Sequence, residues 1–356
     1  MKKVFFLAVC ACAVLANCVK NEPENSGDQV KVTFESPVLY SNVDAKPSVP
    51  GEIGTVYPTG ESFVIFAAEH AGEFTSWSAA TPCAFNGSVV SYDNALNAWA
   101  PKKNDGGYFY WPDGKYISVA AVSPADLDLP STVAPVYGND GVTLENFQVQ
   151  AEPAAQYDLL YSQISVNNTC GNMVTGAART YNGIPILFKH ALSAVRFSLK
   201  KDADVTEEVV LTGLKLESAA AKGSFKENAV SADESDPAWT VDYTATADYQ
   251  AFSGSKAFAS EASLVGSTLL LIPQDLKDGL VLSVSYTVGG VAKSTNIVIN
   301  EYPKGVAGVL PISSWEIGNR YTYCLTYGKS SHLQDIIFFS PGTEGWNDAD
   351  VIEVVL

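Results

Sequence analysis

The sequence predicts an all-β protein: two Greek-key, transthyretin-like β-sandwich domains in series, with few short helices. Three observations carry this. The 356 residues include 17 Tyr, 16 Phe and 6 Trp alongside many Val, Thr and Ser, a composition that suits strands. Short apolar or alternating runs recur in two blocks, bounded by Gly, Pro, Asn and Asp turn signals. No long window repeats every 3.6 residues, so helical turns are expected only near 154–157 and 259–263. A chain of this length suits two domains. The polar, turn-rich stretch 167–182 separates the blocks. Domains are therefore expected at 30–181 and 182–356, behind a leader at 1–17 and a tether at 18–29.

The formal net charge is −17 and Arg occurs only at 179, 196 and 320. A nucleic-acid partner is excluded as an expectation, because phosphate binding needs a basic surface. The acidity suits a soluble, exported protein.

Residues 1–18 read MKKVFFLAVCACAVLANC. Lys2 and Lys3 precede an apolar run, Val4 to Ala16, of signal-peptide length and too short to span a bilayer as a mature helix. Leu15-Ala16-Asn17-Cys18 resembles a bacterial lipobox, with Asn17 departing from the usual small residue. Cleavage there makes Cys18 a lipidation site, and two or three acyl chains hold a protein stably to a membrane. Residues 19–28 have the polar, Pro- and Gly-bearing composition of a flexible tether. With the leader gone and Cys18 acylated, Cys83, Cys170 and Cys324 remain, so at most one disulfide can form.

The elements then follow in order. Gln29 to Glu35 alternates, with Val30, Val32 and Phe34 on one face, and reads as the first strand. A Pro- and Gly-rich loop, 40–57, comes next. Ser62 to Ala68 reads as a buried strand. Shorter strands are expected at 81–85 and 87–92, and a hairpin or strand end at 98–103. Tyr108-Phe109-Tyr110-Trp111 runs into a Pro112-Asp113-Gly114 turn, and 116–122 returns. In the second block, separate strands are expected at 209–217, 223–225 and 239–243, then at Leu269 to Ile272. Leu280 to Ile299 is the best local hairpin signal, turning at Gly289-Gly290. Strands at 336–339 and 351–355 close the chain. Between the blocks, Val195, Phe197 and Leu199 alternate in one phase while Ile186, Phe188, His190 and Leu192 hold the other. This phase slip predicts a bulge or a crossing between sheets at 191–194.

Several of these segments resemble one family. Phe188-Lys189-His190-Ala191-Leu192-Ser193-Ala194-Val195-Arg196-Phe197 is similar to the F-K-H-A-L-S-x-V-R-F strand of fimbrillins, the lipoprotein pilins and fimbrillin-like surface proteins of Bacteroidales-type bacteria. The hairpin from Tyr110-Trp111-Pro112 to Ser123-Pro124, the strand Asp158 to Tyr161, Leu271-Ile272-Pro273-Gln274, the step from Trp315 to Tyr323, and Trp346 also resemble family motifs, in family order. The resemblance implies a cell-surface pilus subunit or accessory tip or anchor adhesin, held to the outer membrane by its lipid anchor. It implies other pilin subunits as partners through strand addition, and possible adhesion ligands on host or bacterial surfaces. It also implies that a protease cuts the 40–57 loop, removes the strand at 29–35, and lets a neighbouring subunit's strand replace it. The family cut follows Arg; here the loop's only basic residue is Lys46, placed before Pro47. A shaft role and an uncut tip or anchor role both stay open.

Chemistry is sparse. The sequence has His70, His190 and His332 only, and no nucleophile elbow, zinc-helix or phosphate-loop motif. His190 is expected to be structural. Asp233-Glu234-Ser235-Asp236 and Asp348-Ala349-Asp350 match no cation-loop spacing and read as solvated turns. No cofactor, metal or enzyme activity is expected. Tyr108, Tyr110 and Trp111 supply the one alternative: a sugar-stacking platform on a surface glycan-binding lipoprotein of a polysaccharide-uptake system. Aromatics alternating on a strand are more often packing residues.

Overall fold

A computed structural model describes residues 30–39, 57–126, 134–170, 179–180, 183–231, 234–235, 237–277, 280–301, 312–328, 336–339 and 347–348. Among these the protein is built of strands, and its helices are three-residue 3-10 turns such as Pro153–Ala155. No helix of the described residues is long and apolar enough to cross a membrane. The turn expected at 259–263 is instead an irregular bend leading into a strand.

The larger strands are β1 (Ser62–His70), β2 (Val89–Asp93), β3 (Ala98–Pro101), β4 (Tyr116–Ser123), β5 (Gly141–Gln148), β6 (Leu160–Ser162), β7 (Leu187–His190) and β8 (Ser193–Lys201). They continue with β9 (Val209–Lys226), β10 (Ala238–Ala257), β11 (Ser263–Leu271), β12 (Val281–Val288), β13 (Val291–Val298) and β14 (Asn319–Tyr327). The first sheet runs β7-β6-β4-β1-β2-β3, with Val38–Leu39 added outside β7. A second sheet runs β13-β12-β9-β5, with β10 also paired to β9. A third runs β11-β8-β14 and continues to Ile336–Phe339.

Two cores explain the apolar runs. On β1, Phe63, Ile65 and Ala67 enter a first core, while Phe66 faces a second. On β4, Ile117, Val119 and Ala121 enter the first and Val122 the second. On β6, Leu160 goes one way and Tyr161 the other. The first sheet is thus covered on both faces, so its central strands are apolar throughout rather than alternating. The second core lies between the second and third sheets and is rich in Leu and Val from β8, β9, β11 and β12.

The phase slip is a crossing. β7 pairs with β6 in the first sheet, and β8 pairs with β11 and β14 in the third. Ala191 and Leu192 at the switch are fully buried. The Trp239 indole N–H donates to Ala191 O at 2.7 Å, and Gly318 N donates to Leu192 O at 2.9 Å. One short segment therefore leaves one sheet and enters the next under hydrogen-bond control. The exchange runs the other way too, because β5 pairs with the far end of β9.

Local signals held where the hydrogen bonds are local. Val288 pairs with Val291 across Gly289 and Gly290, whose φ values of 53° and 80° fit the turn that twists with a hairpin. The short strands expected at 209–217 and 223–225 are instead the single 18-residue β9, and that at 239–243 is part of the 20-residue β10. Bulges absorb the interruption: register shifts between Leu216 and Ala219, where Ser218 has φ 61°.

Candidate functional site

The candidate site is the place of the N-terminal segment 30–39. It alternates as expected: Val32 and Phe34 are buried, and Lys31 and Thr33 are partly exposed. It is hydrogen-bonded along both edges. On one side Val32 N donates to Phe109 O at 2.9 Å, Phe34 N to Trp99 O at 2.8 Å, and Trp111 N to Val30 O at 2.8 Å. On the other, Glu35 N donates to Ile184 O at 3.0 Å, Ile184 N to Thr33 O at 3.0 Å, and Val38 N to Ile186 O at 3.1 Å. Trp99 belongs to β3 at one end of the first sheet, and Ile186 leads into β7 near the other. The segment therefore joins the two ends of that sheet. Without it, β3 and the 184–188 stretch would each present an unpaired edge.

Its side chains complete an aromatic cluster. The Phe34 ring meets Phe63 edge-on with centroids 6.0 Å apart. Tyr57 lies 5.3 Å from Trp99 and 5.2 Å from Phe188, and Phe63 lies 5.4 Å from Phe188. The Tyr57 hydroxyl bonds Ser62 O at 2.9 Å and Ser123 Oγ at 2.7 Å, and burial pushes its pKa up to about 12. Tyr57 N also donates to Pro37 O at 3.0 Å, so the chain returns from the loop against the segment it left.

Gly183 is a site residue that the sequence reading missed. Its φ is +107°, and a Cβ there would stand 2.8 Å from Glu35 N and 3.1 Å from Phe34 C. Only glycine admits so close an approach of the first segment. A Gly beside an apolar Ile184 at the start of a strand was the available signal, and its meaning depended on a partner far away in sequence.

The outer face of the segment carries a second contact. Lys31 Nζ sits 4.3 Å from the centroid of the Tyr108 ring. Tyr108 donates its hydroxyl hydrogen to Asp93 Oδ2 at 2.7 Å, and Lys102 Nζ lies 2.9 Å from the same oxygen. Ala95 N donates to Asp93 Oδ1 at 2.8 Å. Lys102 and then Tyr108 hold the Asp93 carboxyl well below the usual carboxylate range.

These positions correct the sugar-platform expectation. Trp111 is 5% exposed, with its indole N–H directed at Lys115 O. The face of Tyr108 lies under Lys31. Of the three rings only Tyr110 is exposed, at 38%, whereas stacking a sugar needs an open face. The rings pack and pair because the N-terminal segment runs across them.

The other named residues are placed as follows. His190 is buried, 2.9 Å from Asp158 Oδ1. His70 bonds Ser118 Oγ at 2.8 Å and stacks on Tyr116. Cys83, Cys170 and Cys324 are buried and form no disulfide, and burial pushes the Cys83 thiol up to about 12. Among the described residues, no group of three or more His, Cys, Asp or Glu is placed to hold a metal ion. Cys18, Lys46, His332, Asp233, Asp236, Ala349 and Asp350 lie outside the described residues.

The sequence matches the fimbrillin-like family model over residues 58–346. The chain belongs to the fimbrillin-like family. No curated protein matches it. Its fold is similar to that of a fimbrial protein from Bacteroides vulgatus, with a TM-score of 0.53 at 16% identity, covering 88% of this chain and 98% of that one. A candidate cell adhesion protein from Bacteroides uniformis gives a TM-score of 0.50 at 11% identity, over 88% and 98% of the two chains. The fold likeness to these fimbrial and cell adhesion proteins agrees with that family assignment.

Proposed function

We propose that this fimbrillin-like protein assembles by strand exchange, with segment 30–39 as the removable strand and its bed as the acceptor groove. The observation carrying this reading is that the segment closes both ends of the first sheet through main-chain bonds on its two edges. A strand from another subunit can copy such bonds whatever its sequence. Burying Val32 and Phe34 contributes about 1.5–3 kcal/mol each, which an incoming strand of similar side chains recovers. Cleavage in the 40–57 loop, at Lys46 or elsewhere, would leave the segment held by non-covalent contacts only.

The leader at 1–17 directs export, Cys18 carries the lipid, and the protein is displayed at the outer membrane. Residues 19–29 then tether the sandwich until processing. A subunit cut in the loop joins a shaft, and an uncut one serves as a tip or anchor.

The decisive measurement is the N-terminus of the surface protein by mass spectrometry. A start beyond residue 40, with ladders or filaments in unheated gels, is expected for a shaft subunit. Protein that starts beyond residue 40 yet stays monomeric would sink the exchange reading. Cys18→Ser should abolish acyl labelling and release the protein from membranes; retention would refute the anchor.

A further inference from the structure

The acceptor groove has a chemical preference that main-chain pairing does not explain. Tyr108 is positioned by residues outside the exchanged segment. Asp93 takes its hydroxyl hydrogen, and Asp93 is itself 7% exposed, held by Lys102 and by Ala95 N. The ring face is therefore present before any strand arrives. Lys31 is the residue of segment 30–39 that meets it, at 4.3 Å. The position is set by register: Lys31 pairs antiparallel with Tyr110, and its neighbours Val32 and Phe34 are anchored inward.

We propose that the groove selects strands carrying a cation at the Lys31 position, read by the Tyr108 ring that Asp93 orients. The proposal rests on the strand-exchange reading. The partner it describes is an extended segment of another subunit with the pattern apolar, basic, apolar, any, aromatic, as in Val30-Lys31-Val32-Thr33-Phe34. A cation over an aromatic face is attracted by the ring quadrupole. A carboxylate there would meet the negative face of the ring, while Lys102, whose Nζ lies 5.4 Å from the same ring centroid and 2.9 Å from Asp93 Oδ2, balances the Asp93 charge. The chain is acidic, with 39 Asp and Glu against 22 Lys and Arg, so the choice of sign discriminates among strands of similar proteins. Segment 30–39 satisfies the rule and holds the groove until it is displaced.

The test uses the full mature chain with a protease site placed within 40–56 and cut. Labelled peptides of residues 29–39 are offered in excess, and displacement of the native segment is followed. Four peptides are compared: wild type, Lys31→Gln, Lys31→Glu and Phe34→Ala. Wild type should displace best. Lys31→Gln should bind about threefold more weakly and Lys31→Glu about tenfold, at moderate salt. In a Tyr108→Leu acceptor, the gap between wild type and Lys31→Gln should narrow. Equal binding of wild type and Lys31→Glu, with Phe34→Ala weakened, would overturn the cation rule and leave strand exchange standing. Failure of every peptide, wild type included, would remove strand exchange itself. The peptide comparison does not depend on the folding of any variant acceptor.

Discussion

The two cores of this protein are built on different terms. The second is closed by long strands whose neighbours are paired along many residues, such as β9 with β10 and β12. Its contents are mainly branched aliphatic side chains, which fill space between two sheets without needing polar partners. The first is smaller and gathers, among its branched aliphatics, a ring group of Phe34, Tyr57, Phe63, Trp99 and Phe188 in mutual contact. It is completed by the N-terminal segment 30–39, which meets its neighbours through isolated bridges and the short pairing of Val38–Leu39 with β7. The difference separates a core that is sealed by its own topology from one that is sealed by a replaceable part.

The sharpest break of this comparison is Phe34→Ala. It should cost about 4 kcal/mol, the range for a buried Phe, and raise amide exchange in 30–39 and β3 while β9 and β12 keep their protection. Equal loss of protection in both cores would mean that they melt as one unit. Gly183→Ala comes next. It forces a side chain into a left-handed conformation and against Glu35 N, so a loss of about 3 kcal/mol is expected in urea unfolding, with faster proteolysis of the N-terminal segment. A wild-type midpoint would show that the close approach is relieved cheaply.

A third prediction concerns the junction where the two halves exchange strands. Glu227 is buried beside β5, its Oε2 accepts from Val142 N at 2.9 Å, and burial pushes its pKa up to about 7. Lys189 of β7 opposes that rise, and its own pKa is lowered by burial. With the folded pKa above the unfolded value of 4.5, the native state holds a proton that the unfolded chain has lost. Stability should therefore fall from about pH 4.5 to about pH 7, by about 2 kcal/mol. Glu227→Gln, measured by thermal melts across that window, should flatten this part of the profile. An unchanged slope would place the ionised carboxylate comfortably in its site. The smallest effect is expected from Trp239→Phe, which removes the indole donor to Ala191 O and should cost about 1 kcal/mol without moving the crossing.

The sequence by itself determined the strand content, the Gly289-Gly290 hairpin, a phase slip at 191–194 and the inward set Val30, Val32 and Phe34. Each depends on side-chain alternation or on backbone freedom at a turn, both of which act between near neighbours. The family motifs placed the chain among fimbrillins for a similar reason: they are short and local. Only the tertiary structure decided what those strands pair with. The continuous runs at 62–68 and 116–122 signalled burial, yet not that the two faces belong to different cores. The strand β5 went unread, because its apolar residues answer a partner some eighty positions away on β9. Gly183 and Tyr108 were a small residue and one of three aromatics until segment 30–39 lay across them. Hydrogen bonding along a strand edge carries no sequence label. What closes the first sheet, and could be exchanged from it, was therefore decided by distance in space.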